Sequence, residues 1–144
     1  MTSALSNQWL QVLQADGCRI TQSRKVIVDL LLNSDRALGP IEIYDLARKE
    51  YPALGLVTVY RTLEKLEALG LIQRVHLPDG CHRYLRSTQG HEHLLLCTQC
   101  GKVVTFSGDN FSKLSDRVSQ NTGFLIQEHW LQLFGVCPDC RKHL

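Results

Sequence analysis

The chain has 144 residues (16.3 kDa), of which 44% are hydrophobic and 21% charged, with a net charge of +2. That apolar content can fill one large core or two small ones, and the composition excludes a disordered tail. Aliphatic stretches such as Val26-Ile27-Val28 and Leu94-Leu95-Leu96 are far too short to span a bilayer, and the N-terminus lacks the basic patch and apolar run of a signal peptide, so a cytoplasmic protein with no membrane partner is expected.

The first half reads as helices closed by a hairpin. Ser6 is placed to cap a first helix that offers Leu10, Val12 and Leu13 for burial and ends at Gly17. Thr21 is a good cap for a second helix, whose Val26, Ile27, Leu30 and Leu31 follow the 3.6-residue period. Gly39-Pro40 breaks the chain and starts a third helix with Ile43, Leu46 and Ala47. A fourth runs from about residue 58 to 69, with Val59, Leu63 and Leu66 as its stripe and Gly70 as its stop. Residues 71–76 and 81–85 then read as strands around the turn Leu77-Pro78-Asp79-Gly80. This is the order of a winged helix-turn-helix; a helical domain with a stabilising hairpin is the alternative. Beyond a break near residues 86–90, residues 94–96 and 102–106 read as strands and 110–121 as a helix. Residues 124–134 read as a long β-rich segment. The whole is an α+β chain: a winged-helix domain over 1–86, a hinge at 87–90 and a small α/β domain over 91–144.

Charge is unevenly placed. Residues 1–86 hold eleven Lys/Arg against nine Asp/Glu, and residues 87–144 hold five of each. A polyanion partner is therefore expected at the first half. On the fourth helix the inward stripe leaves Thr58, Tyr60, Arg61 and Lys65 for the outer surface. A helix so decorated suits a major groove, with Arg61 donating to guanine or phosphate and Tyr60 meeting a thymine methyl or phosphate. Arg19, Arg24 and Lys25 surround the second helix's start and suit the DNA backbone or a minor groove, while Arg74 and Arg83 fall on the wing. An ordinary solvated basic face is the alternative.

Six cysteines in a reducing compartment point to metal rather than disulfides. Cys97-Thr98-Gln99-Cys100 and Cys137-Pro138-Asp139-Cys140 are two CxxC turns separated by 36 residues. Each turn sets two thiolates on one side of a tight loop, and the pair completes a closed tetrahedral S₄ shell that suits structural Zn²⁺. His91 and His93 share a face if extended, and His129 lies on the segment feeding the second CxxC. With Asp109 they make a candidate second site for Zn²⁺ or another divalent first-row metal. His76, Cys81 and His82 flank the hairpin turn, where His76 and Cys81 are further ligand candidates; Cys18 reads as a buried structural thiol.

Several of these pieces together resemble the ferric uptake regulator superfamily of bacterial metal-dependent repressors. The matching residues are Gly17-Cys18-Arg19-Ile20-Thr21-Gln22-Ser23-Arg24, Thr58-Val59-Tyr60-Arg61-Thr62-Leu63, Gly70-Leu71-Ile72, Asp79-Gly80 with Arg83-Tyr84, His91-Glu92-His93, and the segments 97–103 and 134–140 around the CxxC turns. The resemblance implies a homodimer that binds palindromic double-stranded operators when a sensory metal is loaded. Tyr60 and Arg61 carry over as recognition-helix contacts and Arg19 as a backbone or minor-groove contact. No small organic substrate is implied. The departures bear on the metal. Iron and peroxide sensors of the family usually have a histidine in the segment occupied here by Asp35-Arg36-Ala37-Leu38, and their histidine run is reduced here to His91-Glu92-His93-Leu94. The family's frequent glutamate ligand falls at Ser112, near Asp109. The chain looks most like the zinc uptake regulator branch, with an iron- or peroxide-sensing repressor as the alternative. The first sensory ligand set is His91, His93, His129 and Asp109. The second combines His76 and Cys81 with one histidine of the 91/93 pair. An enzyme is not expected: a zinc deaminase pairs HxE with PCxxC, whereas Pro138 follows Cys137 here, and the four thiols close the zinc shell without an open position.

Overall fold

The computed structural model describes residues 3–87, 92–107 and 111–144, and the chain divides into two units, Met1–Thr88 and Gln89–Leu144. The first unit begins with α1 (Ser3–Ala15). Ser6 lies inside this helix rather than at its cap, because its buried hydroxyl is used elsewhere: Oγ donates to Asp29 Oδ1 at 2.5 Å. Gly17 then takes φ +86°, and the chain turns into α2 (Gln22–Asn33). Thr21 caps α2, its Oγ1 accepting from the Arg24 N–H at 3.3 Å. Pro40 opens α3 (Pro40–Glu50), where its missing N–H is not needed.

The fourth helix, α4 (Leu56–Ala68), starts two residues earlier than its apolar stripe suggests, with Gly55 as the extended N-cap. Val59, Leu63 and Leu66 are fully buried against Ile27, Ile43 and Leu31 in a core that also takes Trp9, Leu13 and Tyr84. Each such aliphatic side chain contributes about 1.5–3 kcal/mol of burial. Thr62, also buried, satisfies its hydroxyl on the Thr58 carbonyl at 2.7 Å. Gly70 at φ +75° ends α4 and releases β1 (Ile72–His76).

β1 pairs antiparallel with β2 (His82–Arg86), from Ile72 opposite Arg86 to His76 opposite His82. At the turn, Leu77 N–H donates to the Cys81 carbonyl at 2.7 Å, and Gly80 takes φ +89°. Leu38 pairs with Tyr84 through both backbone bonds (2.9 and 2.8 Å), so the segment before α3 joins the hairpin. Helices followed by a hairpin seated on the loop before α3 form a winged helix-turn-helix.

In the second unit β3 (His93–Cys97) is the central strand. It pairs antiparallel with β4 (Val103–Phe106) and parallel with β5 (Gln132–Gly135). α5 (Phe111–Thr122) lies between β4 and β5 in sequence, and the short α6 (Pro138–Arg141) follows β5. The long strand expected over residues 124–134 is reduced to its last few residues. Among the described residues the segment before β5 has no ladder partner, and it exposes Phe124 (73%), Leu125 (85%) and Trp130 (77%). β-propensity needs a partner strand to be realised, and among the described residues this segment finds one only from residue 132 onward.

Candidate metal centres and nucleic-acid interface

Sheet register assembles the four-thiol cluster. β3 ends at Cys97, which pairs with Gly135, so the two CxxC turns leave neighbouring strands at the same end of the sheet. Thr98 N–H donates to the Gly135 carbonyl at 2.8 Å, and Gly101 N–H returns to the Cys97 carbonyl at 2.9 Å with Gly101 at φ +80°. Only a residue without Cβ takes that conformation cheaply. All four Sγ atoms of Cys97, Cys100, Cys137 and Cys140 lie within 4.8 Å of one another. Tetrahedral Zn–S bonds of about 2.3 Å place sulfurs about 3.8 Å apart. Cys100 Sγ and Cys137 Sγ are 3.8 Å apart, so the donor set fits Zn²⁺ by identity and spacing.

The thiols are electrostatically unequal. Burial pushes Cys97 up, but backbone N–H groups of Cys100, Cys137 and Gln99 outweigh it and bring its thiol down to about 6. One of these donors is the Cys137 N–H, 3.3 Å from Cys97 Sγ. Cys140 is pushed up to about 12, first by its thiol contact with Cys137, then by burial and by the Cys100 and Cys97 sulfurs. Crowded sulfurs tolerate one negative charge among them and resist the next without a cation to neutralise it.

A second constellation stands at the other end of β3. His93 is 6% exposed, and its ring centre lies 5.6 Å from that of His129. Phe106, the register partner of His93, lies 5.5 Å away and Phe111 5.9 Å away; Phe111 stacks on His129 at 4.7 Å with 6° between planes. Two imidazoles thus share an aromatic wall, His93 buried and His129 exposed. His91 and Asp109, the other members of the expected set, lie outside the described residues. Phe111 was expected on the apolar face of its helix with Leu114 and Val118 but not beside the histidines, and Phe106 was not singled out, although the pairing of residues 93 and 106 across the first CxxC turn is the signal that finds it. Among the described residues, the four cysteines form the only group of three or more ligand-type side chains close enough to share one ion.

His76 and Cys81 belong to the first unit, at the hairpin. Both are exposed, and the Cys81 N–H donates to Asp79 Oδ1 at 2.9 Å. Cys18 is half-buried against the helical core.

On α4, Tyr60 (41% exposed) and Arg61 lie outward beside Val57 (63%), and Thr58 is half-buried with its carbonyl engaged by Thr62. Two of the basic residues expected on the outer surface are committed within the protein. Lys65 Nζ meets Asp16 Oδ2 at 2.6 Å, an ion pair that raises the lysine pKa. Arg74 is held by Glu67 and lies over the Tyr84 ring, 5.5 Å from its centre. Arg19 is exposed, and its carbonyl accepts from the Arg24 guanidinium. Arg83 is half-buried on β2. No helix of the described residues is long and apolar enough to cross a membrane.

The family model described as the ferric uptake regulator family matches residues 15–134. The ferric uptake regulation protein of Neisseria meningitidis is 30% identical over 130 residues, covering 90% of each chain. The peroxide operon regulator of Bacillus subtilis is 31% identical over 133 residues, covering 92% of this chain and 91% of that one. Among solved structures, a zinc-bound manganese uptake regulator superposes with a TM-score of 0.72 at 29% identity, covering 90% of this chain and 98% of that one.

Proposed function

We propose that this chain, which belongs to the ferric uptake regulator family and is a metal-responsive transcription regulator, is a zinc-sensing repressor. It binds palindromic double-stranded DNA as a homodimer when a sensory ion is loaded, in the compartment that holds the DNA. We assign residues 1–86 to DNA binding, 87–90 to the hinge and 91–144 to metal binding and dimerisation.

The observation that carries this reading is the separation of two ligand groups within the second unit. The four thiols form a closed shell suited to a permanent structural Zn²⁺, which ties residue 97 to the chain's last strand and has no chemistry to perform. The His93–His129 pair, 5.6 Å between ring centres, is the nucleus of a separate exchangeable site to which His91 and Asp109 are assigned. An imidazole-rich set suits Zn²⁺, and the absence of histidine from residues 35–38 supports zinc over iron. Tyr60 and Arg61 on α4 read base edges and phosphates, while Arg19 and Thr58 hold the backbone. The sensory ion acts by binding the DNA-competent state more tightly; a tenfold bias takes about 1.4 kcal/mol.

A second reading, an iron- or peroxide-sensing repressor, is favoured by the names of the relatives from Neisseria meningitidis and Bacillus subtilis. One experiment separates them: titrate Zn²⁺ and, anaerobically, Fe²⁺ into protein whose four-thiol site is filled, and follow binding to DNA from its own promoter. Zinc sensing requires Zn²⁺ to tighten binding at lower free concentration than Fe²⁺, and His93→Gln to remove the response. Equal DNA affinity with and without exchangeable metal overturns both readings.

A further inference from the structure

The hairpin of the first unit carries two ligand-type side chains that the sensory set above does not use. His76 closes β1 and His82 opens β2, and the antiparallel register sets them directly opposite each other. Opposed residues in such a ladder send their side chains to one face, with Cβ atoms about 4.5–5.5 Å apart. The two ring centres are 6.1 Å apart with 63° between planes. Two imidazoles bound to one tetrahedral Zn²⁺ at about 2.0–2.1 Å have ring centres roughly 5 Å apart. The remaining gap, about 1 Å, is a side-chain rotation for His76, which is exposed at the end of the hairpin.

His82 is the fixed member of the pair. Its ring meets Tyr84 edge-on, at 5.7 Å between centres and 87° between planes. Tyr84 is 3% exposed and bonded through its backbone to Leu38 in both directions, so it cannot drift. The turn between the histidines is already closed, by Leu77 N–H on the Cys81 carbonyl (2.7 Å) and Gly80 N–H on the Leu77 carbonyl (3.0 Å). An ion bridging the strands therefore orders little that is not ordered already, which is the condition under which a chelate gains affinity.

We infer that His76 and His82 form a cross-strand, two-imidazole site on the wing for a divalent first-row cation of the zinc type, separate from both the four-thiol cluster and the His93–His129 pair. Imidazole nitrogen selects such ions over Mg²⁺ and Ca²⁺, and water completes the shell. An ion here adds positive charge next to Arg83, which follows His82 on β2, strengthening the attraction of this end of the hairpin for a polyanion.

The test is a Zn²⁺ titration of the full chain with its four-thiol site filled, by calorimetry and by NMR of the imidazole rings. The double variant His76→Gln/His82→Gln should bind one Zn²⁺ fewer per chain than wild type, and the His76 and His82 ring signals should shift together in wild type. His93→Gln should keep this wing ion. Equal stoichiometry in wild type and the double variant overturns the inference. So does loss of one and the same ion in both His93→Gln and the double variant, which means a single shared site. If His93→Gln loses no ion while the double variant loses one, the wing site stands and the sensory reading fails.

Discussion

Arg74 on β1 is bound to Glu67 on α4: Nε donates to Oε2 at 3.1 Å, joining the wing to the last turn of the outward-facing helix. Tyr84 on β2 backs the guanidinium, and burial pushes its hydroxyl pKa up, so it stays neutral. The contact braces the two elements assigned to DNA. Removing an acidic side chain from a DNA-binding face ordinarily raises affinity. Glu67→Gln is expected to lower operator affinity instead, by about two- to fivefold, the scale of a half-exposed ion pair at roughly 0.5–1 kcal/mol. The slope of log affinity against log salt should remain unchanged, since no phosphate contact is lost. Fluorescence anisotropy over a salt series checks both.

Arg61 and Lys65 are one helical turn apart and should behave differently. Arg61 is exposed, and Arg61→Ala is expected to cost about 1–3 kcal/mol of operator binding and to relax base preference at one position. Lys65 is occupied by Asp16, so Lys65→Ala should leave operator affinity within about twofold while detaching α4 from the end of α1. Gel-shift titrations with operator and scrambled duplex distinguish the two.

Zinc affinity of the four-thiol site should climb with pH. Cys97, at about 6, is already a thiolate above that pH. Cys140, at about 12, still carries its proton there and gives it up to solvent only when the metal takes its place on the sulfur. At least one proton therefore leaves on binding, and affinity should rise at least tenfold per pH unit across roughly pH 6–9. In the metal-free chain, the lowered Cys97 pKa contributes stability that is present above the unfolded value of 9.0 and lost as pH falls through about 6. Chelator competition at several pH values measures the slope. Cys137→Ser should unfold the second unit and leave the helices of the first protected from hydrogen exchange, because the first unit has its own core.

The segment before β5 and one face of α5 leave Phe124, Leu125, Trp130, Leu114 and Val118 exposed. The homodimer proposed above would cover these apolar side chains. Leu125→Glu with Trp130→Glu is expected to yield monomers by sedimentation velocity, with operator affinity falling as two half-sites are no longer engaged together.

Much of the helical half was legible in the chain itself. Thr21 at a cap, Pro40 at a first turn and the stripe of Val59, Leu63 and Leu66 act through neighbours three or four residues away. The CxxC pairs were legible for a similar reason: thiolates two apart on a tight turn need only a second such turn to share an ion. What lay between elements was not. That Ser6 belongs to Asp29, Lys65 to Asp16 and Arg74 to Glu67 depends on how helices and hairpin pack; the approach of His129 to His93, by contrast, was expected from the sequence, because the second CxxC turn draws the segment that carries His129 towards β3. The expected strand over residues 124–134 shows the same limit, since β-propensity is a property of a strand with a neighbour. Local order is decided by backbone and side-chain preferences over a few residues, whereas the partners of charges and of unpaired strands are decided only once distant parts of the chain are brought together.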